Sequence, residues 1–169
     1  MASQGMYEVK ENKLIARDVW EITLLGDTSP MKHPGQFVNV HMDGLFLRRP
    51  LSVCIWDGES MRLIYKVTGK GTEAMSLLKP KDTLDLLTGL GNGFSIAPAK
   101  GKRIMIIGGG VGVPPLYGLA ERLRGEDVQC VLGFNTAADV FYVKEFEALG
   151  AKVTVTTVDG SMGIKGFVT

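Results

Sequence analysis

The sequence predicts a two-part protein, a small antiparallel β-barrel followed by a truncated Rossmann-like α/β domain. Three observations carry that reading. Residues 6–97 contain short strand-like runs punctuated by turns. The grammar changes after Ala97-Pro98-Ala99-Lys100-Gly101-Lys102. From there on, apolar strands alternate with helical stretches, the order of a parallel sheet covered by helices.

In the first half, Val19-Trp20-Glu21-Ile22-Thr23-Leu24-Leu25 and Phe37-Val38-Asn39-Val40-His41 alternate with the period of a half-buried strand. Leu51 to Trp56 and Met61 to Val67 are rich in β-formers. Breaks fall at Pro30, Pro34-Gly35, Asp43-Gly44, Asp57-Gly58 and Gly69, residue types that supply the φ values turns require. Strands spaced so evenly make a barrel or a sandwich. A barrel is favoured because closure leaves no open edge. One short helix is expected from Thr72 to Leu78, ended by Pro80. The residues ahead of Met6 are compatible with a cloning remnant.

In the second half, Arg103-Ile104-Met105-Ile106-Ile107 is a continuous apolar strand, followed by Gly108 to Gly112 and a helix from about Pro114 to Arg124. Val128 to Phe134 reads as a second strand, Val140 to Leu149 as a second helix and Lys152 to Thr157 as a third strand. This order predicts right-handed crossovers. Three strands and two helices make half of a doubly wound sheet, and Asp159 to Gly166 reads as a loop leading onward. The expectation is therefore a fragment, or a chain completed by a partner, with domains at 6–97 and 102–169.

Nineteen Lys+Arg against 18 Asp+Glu leave a net charge of +1, which gives no electrostatic case for nucleic acid or an anionic membrane. No apolar run reaches the roughly 20 residues that span a bilayer. The N-terminus lacks the basic-then-apolar pattern of a signal peptide. Cys54 and Cys130 lie far apart in apolar runs, so they read as buried thiols of a protein in a reducing cytoplasm.

The residues that point to chemistry cluster around Arg49 and Ser52. A guanidinium pairs a diphosphate bidentately, and a hydroxyl three residues on can bond a ring or sugar-chain atom. Pro50 restricts Arg49 and bends a strand that would otherwise send the two to opposite faces. Alone, a surface Arg pair at an edge strand would explain these residues. In Gly69-Lys70-Gly71-Thr72 the glycines allow close approach to phosphate, and Thr72 reads as the N-cap of the following helix. A hairpin turn before a capped helix is the plainer alternative. Gly89-Leu90-Gly91-Asn92-Gly93-Phe94 is either a turn or a loop between two ligand sites. Gly108 to Gly112 has the strand–loop–helix context of a dinucleotide loop, with Pro114-Pro115 in the first helical turn, though not the G-x-G-x-x-G spacing. Two phosphate loops on one chain point to two nucleotides, with electrons passing between them. Asn135-Thr136-Ala137-Ala138-Asp139 holds no Arg or Lys, which favours NAD(H) over NADP(H). His33 and His41 lack partners at ligand spacing, and Trp20, Trp56 and the methionines read as core filling.

These segments, in this order, resemble the ferredoxin–NADP reductase superfamily, in which a flavin-binding barrel precedes a nicotinamide-binding domain. More narrowly, Pro34-Gly35-Gln36-Phe37-Val38, Arg48 to Val53, Gly69 to Thr72, Gly89 to Phe94, Gly108 to Pro114 and Asp159 to Gly166 are together similar to the electron-transfer subunits of dihydroorotate dehydrogenase B. The resemblance covers essentially the whole chain. It implies FAD held by Arg49, Pro50, Leu51 and Ser52, by Ile64, Tyr65 and Lys66 through the strand backbone, and by Gly71 and Thr72. It implies NAD(H) docked over Gly109, Gly110, Val111, Gly112 and Pro114, with Asp159 in the same site. The implied activity is that of an oxidoreductase subunit moving electrons between NAD(H) and an FMN-containing catalytic subunit that oxidises dihydroorotate to orotate, a step of pyrimidine biosynthesis. No side chain is assigned to catalysis.

The departures from that family also carry expectations. Its C-terminal four-cysteine segment holds a [2Fe–2S] cluster, which two separate cysteines cannot ligate. A cluster is therefore expected only in a full-length form, and no metal site in this chain. The Cys-Gly-Pro turn of the relatives' nicotinamide site is missing too, so NAD binding is expected to be the weaker of the two. Leu51 stands where plant-type reductases have Tyr. Sulfhydrogenase and ferredoxin:NADP transhydrogenase subunits share the architecture, and a flavin-free scaffolding module is a further alternative. Intact Arg49, Ser52, Gly71 and Thr72 favour retained flavin.

Overall fold

The computed structural model describes residues 2–168; Thr169, the last residue of the expected second domain, lies outside the described residues, as does Met1. Strands β1 (Ser3–Ala16), β2 (Val19–Leu25), β3 (Phe37–Val40), β4 (Arg49–Trp56), β5 (Ser60–Lys66) and β6 (Thr83–Leu90) close an antiparallel barrel in the order β1-β2-β5-β4-β3-β6. Strands β2 and β3 match the alternating runs and β4 and β5 the runs rich in β-formers, whereas β1 and β6 have no counterpart in the sequence reading. In β1 only Tyr7 and Val9 are buried, so its fourteen residues look polar. Register shifts at Val9/Glu11 and Leu14/Ala16 let that long strand bend around the barrel. Ser3–Gly5 pair with Thr88–Leu86, so the barrel begins ahead of Met6.

Inward-facing Val9, Ile22, Leu24, Val38, Leu63 and Leu86 fill the barrel. The hydroxyl of Tyr65 donates to Asn12 Oδ1 at 3.0 Å, and Asn12 Nδ2 donates to the carbonyls of Met75 and Leu78 at 2.9 and 3.2 Å. This chain of bonds fastens helix α1 (Lys70–Ser76) to the barrel. The helix starts earlier than expected, and Thr72 is not its N-cap. Gly69 takes that position in an extended conformation. Thr72 folds back from the first turn, its hydroxyl oxygen accepting from the N–H groups of Thr68 (3.0 Å) and Gly69 (3.3 Å).

The second half contains β7 (Arg103–Gly109), α2 (Val113–Arg122), β8 (Asp127–Phe134), α3 (Val143–Ala148), β9 (Lys152–Thr157) and β10 (Ile164–Lys165). The strands form one parallel sheet in the order β10-β9-β8-β7. The segment read as a plain loop thus contains a fourth strand, Ile164 and Lys165 pairing with Thr156 and Thr157 of β9. Helix α3 starts at Val143 rather than Val140, because Val140 is extended and Tyr142 takes a left-handed conformation at the helix N-cap.

The two halves share a core in which Val19, Cys54 and Ile64 of the barrel meet Ile106, Val113 and Phe146. Helix α2 lies on β4, and a Cβ on Gly118 would run into the Cys54 carbonyl, so glycine sets this approach. Both cysteines are buried thiols, pushed up by desolvation to about 12 for Cys54 and about 11 for Cys130. Trp20 and Trp56 pack half-buried against the barrel core. Among the described residues no helix is long and apolar enough to cross a membrane.

Candidate functional site

The Arg48-Arg49 pair splits its duties. Arg48 donates from Nη2 to Asp85 Oδ2 at 2.6 Å and from Nη1 to the carbonyl of Asp85 at 3.1 Å, tying the start of β4 to β6. That hydrogen bond holds the Asp85 carboxyl below the usual carboxylate range. Arg49 turns the other way, towards the loop that opens α1. A Cβ on Gly71 would overlap its guanidinium. Its Nη1 also donates to the Leu47 carbonyl. The first and second sequence motifs therefore meet.

Around that meeting point runs a groove lined by Arg49, Pro50, Leu51 and Ser52 of β4, by Ile64, Tyr65 and Lys66 of β5, and by Thr68 and Thr72. One residue of the second half, Val111, completes it. Tyr65 buries its side chain in the barrel, so its main chain is what faces outward. Gly71 is buried under Arg49 and does not itself line the groove.

A second crevice lies at the carboxyl ends of β7 and β8, where open α/β sheets place ligands. Gly109, Gly110 and Val111 form one side, Gly133 to Asn135 the floor, and Asp139 and Phe141 a wall. The barrel contributes Val19 and Lys66, and Gly166–Val168 cover the far end. Gly110 has φ +50°, a left-handed conformation that opens the loop towards the crevice. Of the other residues expected here, Gly112 and Pro114 belong to the start of α2 and do not line the space; Pro114 is buried. Asp159 stands beyond its rim, accepting from the Ser161 N–H at 3.0 Å and the Ser161 hydroxyl at 2.6 Å. The crevice holds about 220 Å³ and the groove about 350 Å³. Lys66 and Val111 line both. The glycine loop from Gly89 to Phe94 packs on Pro34–Gln36 and lines neither; Phe94 N–H donates to the Pro34 carbonyl at 2.7 Å.

Five residues of this region were not singled out in the sequence. Arg17, in the β1–β2 turn, reaches across to the segment after β8. It donates from Nε and Nη2 to the Asp139 carboxylate at 3.0 and 2.6 Å, and from Nη2 to the Thr136 hydroxyl at 2.9 Å. The cation absent from Asn135–Asp139 in sequence is thus supplied by the barrel, but it is spent on Asp139, whose carboxyl it holds below the usual range. Farther along, Tyr142 has φ +66° and a buried hydroxyl. That hydroxyl donates to Glu21 Oε2 at 2.6 Å and accepts from Arg62 Nη1 at 2.8 Å. Lys13 Nζ lies 3.3 Å from the same buried carboxylate. Burial raises the Tyr142 pKa far above the ordinary tyrosine value, so the group stays a hydroxyl. The Lys13–Glu21 pair apart, these partners are separated by 80 residues or more along the chain, which hides them from any reading of local motifs. Among the described residues no group of three or more His, Cys, Asp or Glu side chains could hold a metal ion.

The chain is 47% identical to the electron transfer subunit of dihydroorotate dehydrogenase B (NAD(+)) of Bacillus caldolyticus, over all of this chain and 69% of that one. It is 44% identical to the corresponding subunit of Geobacillus sp. (strain WCH70), with the same two coverages. The chain belongs to the dihydroorotate dehydrogenase B electron transfer subunit family. No family model matches it. Among solved structures, this member of the family is similar to an NADH-dependent reduced ferredoxin-NADP oxidoreductase described for flavin-based electron bifurcation, at 32% identity and a TM-score of 0.82, over 96% of this chain and 60% of that one. It shares its fold with the Amycolatopsis cytochrome P450 reductase GcoB (22% identity, TM-score 0.86, covering 98% of this chain and 56% of that one).

Proposed function

We propose that this chain is an oxidoreductase subunit that binds FAD in the groove and NAD(H) in the crevice, and moves electrons between NADH and a partner subunit. The observation that carries the reading is the shared boundary. Lys66 and Val111 line both spaces, so a ring at the inner end of each would lie against the other. Residues 6–97 carry the flavin in this reading and 102–169 the dinucleotide.

The groove suits a flavin dinucleotide. Arg49 over Gly71 forms a cradle that any side chain at position 71 would fill. Its guanidinium offers a charge-assisted contact to a diphosphate, with main-chain N–H groups of the glycine loop beside it. Ser52 and the strand backbone at Ile64–Lys66 present donors and acceptors to a ring edge, and Thr72 braces the loop. When bound, FAD accepts two electrons as hydride and returns them singly. Gly109, Gly110 and Val111 bring main chain to the dinucleotide, and Gly112 and Pro114 shape the helix start behind them. Phe141 and Phe134 exclude water from the inner end of the crevice. NAD(H) is the coenzyme of this proposal, because Asn135–Asp139 carry no Arg or Lys and the nearby Arg17 is paired with Asp139; Asp159 stays a candidate contact outside the rim.

The partner is a catalytic subunit that oxidises dihydroorotate to orotate, a reading supported by the names of the relatives; an FMN in that subunit and a cytoplasmic hetero-oligomer complete the proposal. No [2Fe–2S] cluster is assigned to the described residues, whose two cysteines are separate buried thiols. A ferredoxin:NADP transhydrogenase subunit is the second reading, favoured by the 32% identity to the bifurcating oxidoreductase. The first test is the visible spectrum of the purified protein, with the released flavin identified by chromatography and NADH then added anaerobically. Released FAD that NADH bleaches supports the proposal. A colourless protein that refuses added FAD overturns it in favour of a scaffolding module.

A further inference from the structure

We propose that Tyr142 is a positioning residue, whose buried hydroxyl pins the wall of the dinucleotide crevice to the barrel and so sets the approach of nicotinamide to flavin; the inference rests on the function proposed above. The wall in question is the segment from Asn135 to Tyr142, of which Asn135, Asp139 and Phe141 face the crevice. It is fastened to the barrel at both ends. At one end Arg17 holds Asp139 and Thr136, and its own N–H donates to the Ala138 carbonyl at 2.9 Å. The Arg17 side chain is 51% exposed there, so water and salt compete for the pair. At the other end the Tyr142–Glu21 bond is buried, where a lost polar partner is felt in full.

Three features make Tyr142 more than a core residue. Its left-handed backbone is unfavourable for a bulky side chain, and such a conformation persists where the surroundings fix it. Its hydroxyl has both roles filled, donating to Glu21 and accepting from Arg62. Above all, Arg62, Ile64 and Lys66 alternate along β5 and share one face of the strand. The face that grips Tyr142 through Arg62 therefore also presents Lys66 to both ligand spaces. Slippage of Tyr142 along β5 moves the crevice wall relative to the groove.

The test uses Tyr142→Phe, which keeps the ring, and Glu21→Gln, which keeps a neutral acceptor. In FAD-loaded protein, anaerobic stopped flow separates the limiting rate of flavin reduction from the apparent NADH dissociation constant. In cofactor-free protein, hydrogen exchange follows the amides of residues 136–142. Small misplacements near reacting atoms cost up to about a hundredfold, so the limiting rate in Tyr142→Phe should fall about ten- to a hundredfold. The dissociation constant should stay within about threefold. Exchange in 136–142 should quicken about tenfold while β3 and β6 are unmoved. Glu21→Gln should shift each quantity the same way by less. Unchanged exchange in 136–142, equal quickening throughout the molecule, or weaker NADH binding at an unchanged limiting rate would each overturn the proposal. Protein that takes up neither FAD nor NADH would overturn the function above and the positioning role with it, whereas faster exchange would still show the tether.

Discussion

The groove and the crevice lie side by side but are built by opposite strategies. The groove takes residues 49–52, 64–66, 68 and 72 from neighbouring elements of the barrel, and borrows Val111 alone from the other half. The crevice is a composite whose residues run from Val19 to Val168. A site assembled from short runs on adjacent strands keeps its shape as long as the barrel is closed. A site assembled across a domain boundary keeps its shape only as long as the two halves hold their relative placement.

The sharpest way to break that contrast is to disturb the boundary itself. Gly118→Leu would drive a side chain into the Cys54 carbonyl, where α2 rests on β4. Overpacking of this kind costs about 1–3 kcal/mol. The expected outcome is a lower thermal midpoint and loss of flavin reduction by NADH, with bound FAD retained. Loss of both together would mean that the groove depends on the boundary as much as the crevice does. Next in size is the reciprocal change. Arg49→Ala removes a charge-assisted contact worth roughly 1.5–3 kcal/mol, so FAD affinity should fall tenfold or more while the apo-protein melts as before. Unchanged affinity in a flavin titration would remove Arg49 from the site.

Arg17→Ala probes the crevice wall through its pH dependence. Because the Arg17 hydrogen bonds lower the Asp139 pKa in the folded state, their stabilisation is present above the unfolded carboxyl value of about 3.9 and disappears as pH falls through the lower folded value. Denaturation midpoints of wild type and variant should differ at pH 7 by less than the Gly118→Leu effect, and converge below about pH 4. A gap that persists in acid would assign the effect to packing instead. The smallest effect belongs to Phe46, which is 99% exposed in the loop between β3 and β4. Phe46→Ser should change stability by no more than about 0.5 kcal/mol and leave the flavin titration unchanged. A weaker titration would extend the groove into the loop before β4.

The same contrast explains what could be read in advance. Arg49, Ser52, Gly71 and Gly109–Val111 stand out only together: each run alone has a plainer reading, but their order along the chain points to one purpose, and the structure brings Arg49 onto Gly71 and Val111 to the same groove. Strand β1 escaped notice because one face of it is solvated and its apolar residues are too sparse to alternate visibly. Thr72 was misplaced by a simple competition, since the flexible Gly69 accepts the cap position and frees the hydroxyl to turn back. Arg17, Glu21, Arg62 and Tyr142 were invisible for a different reason. Each is an ordinary polar residue whose significance comes from a partner supplied by the other half of the molecule.

The seam between β1 and β6 has a consequence for the order in which the chain folds. Ser3 pairs with Thr88 across 85 residues, so zipping that seam closes nearly the entire first half into a ring. The entropy of such a closure is on the order of 4 kcal/mol, due before the last ladder of the barrel returns any of it. The parallel sheet asks for far shorter closures, since Ile106 needs only Cys130 and Cys130 only Val153. Long-range pairings slow folding. Pulse-labelled refolding should therefore show amide protection in β7, β8 and β9 before the β1–β6 seam, and flavin uptake should follow the seam rather than the sheet.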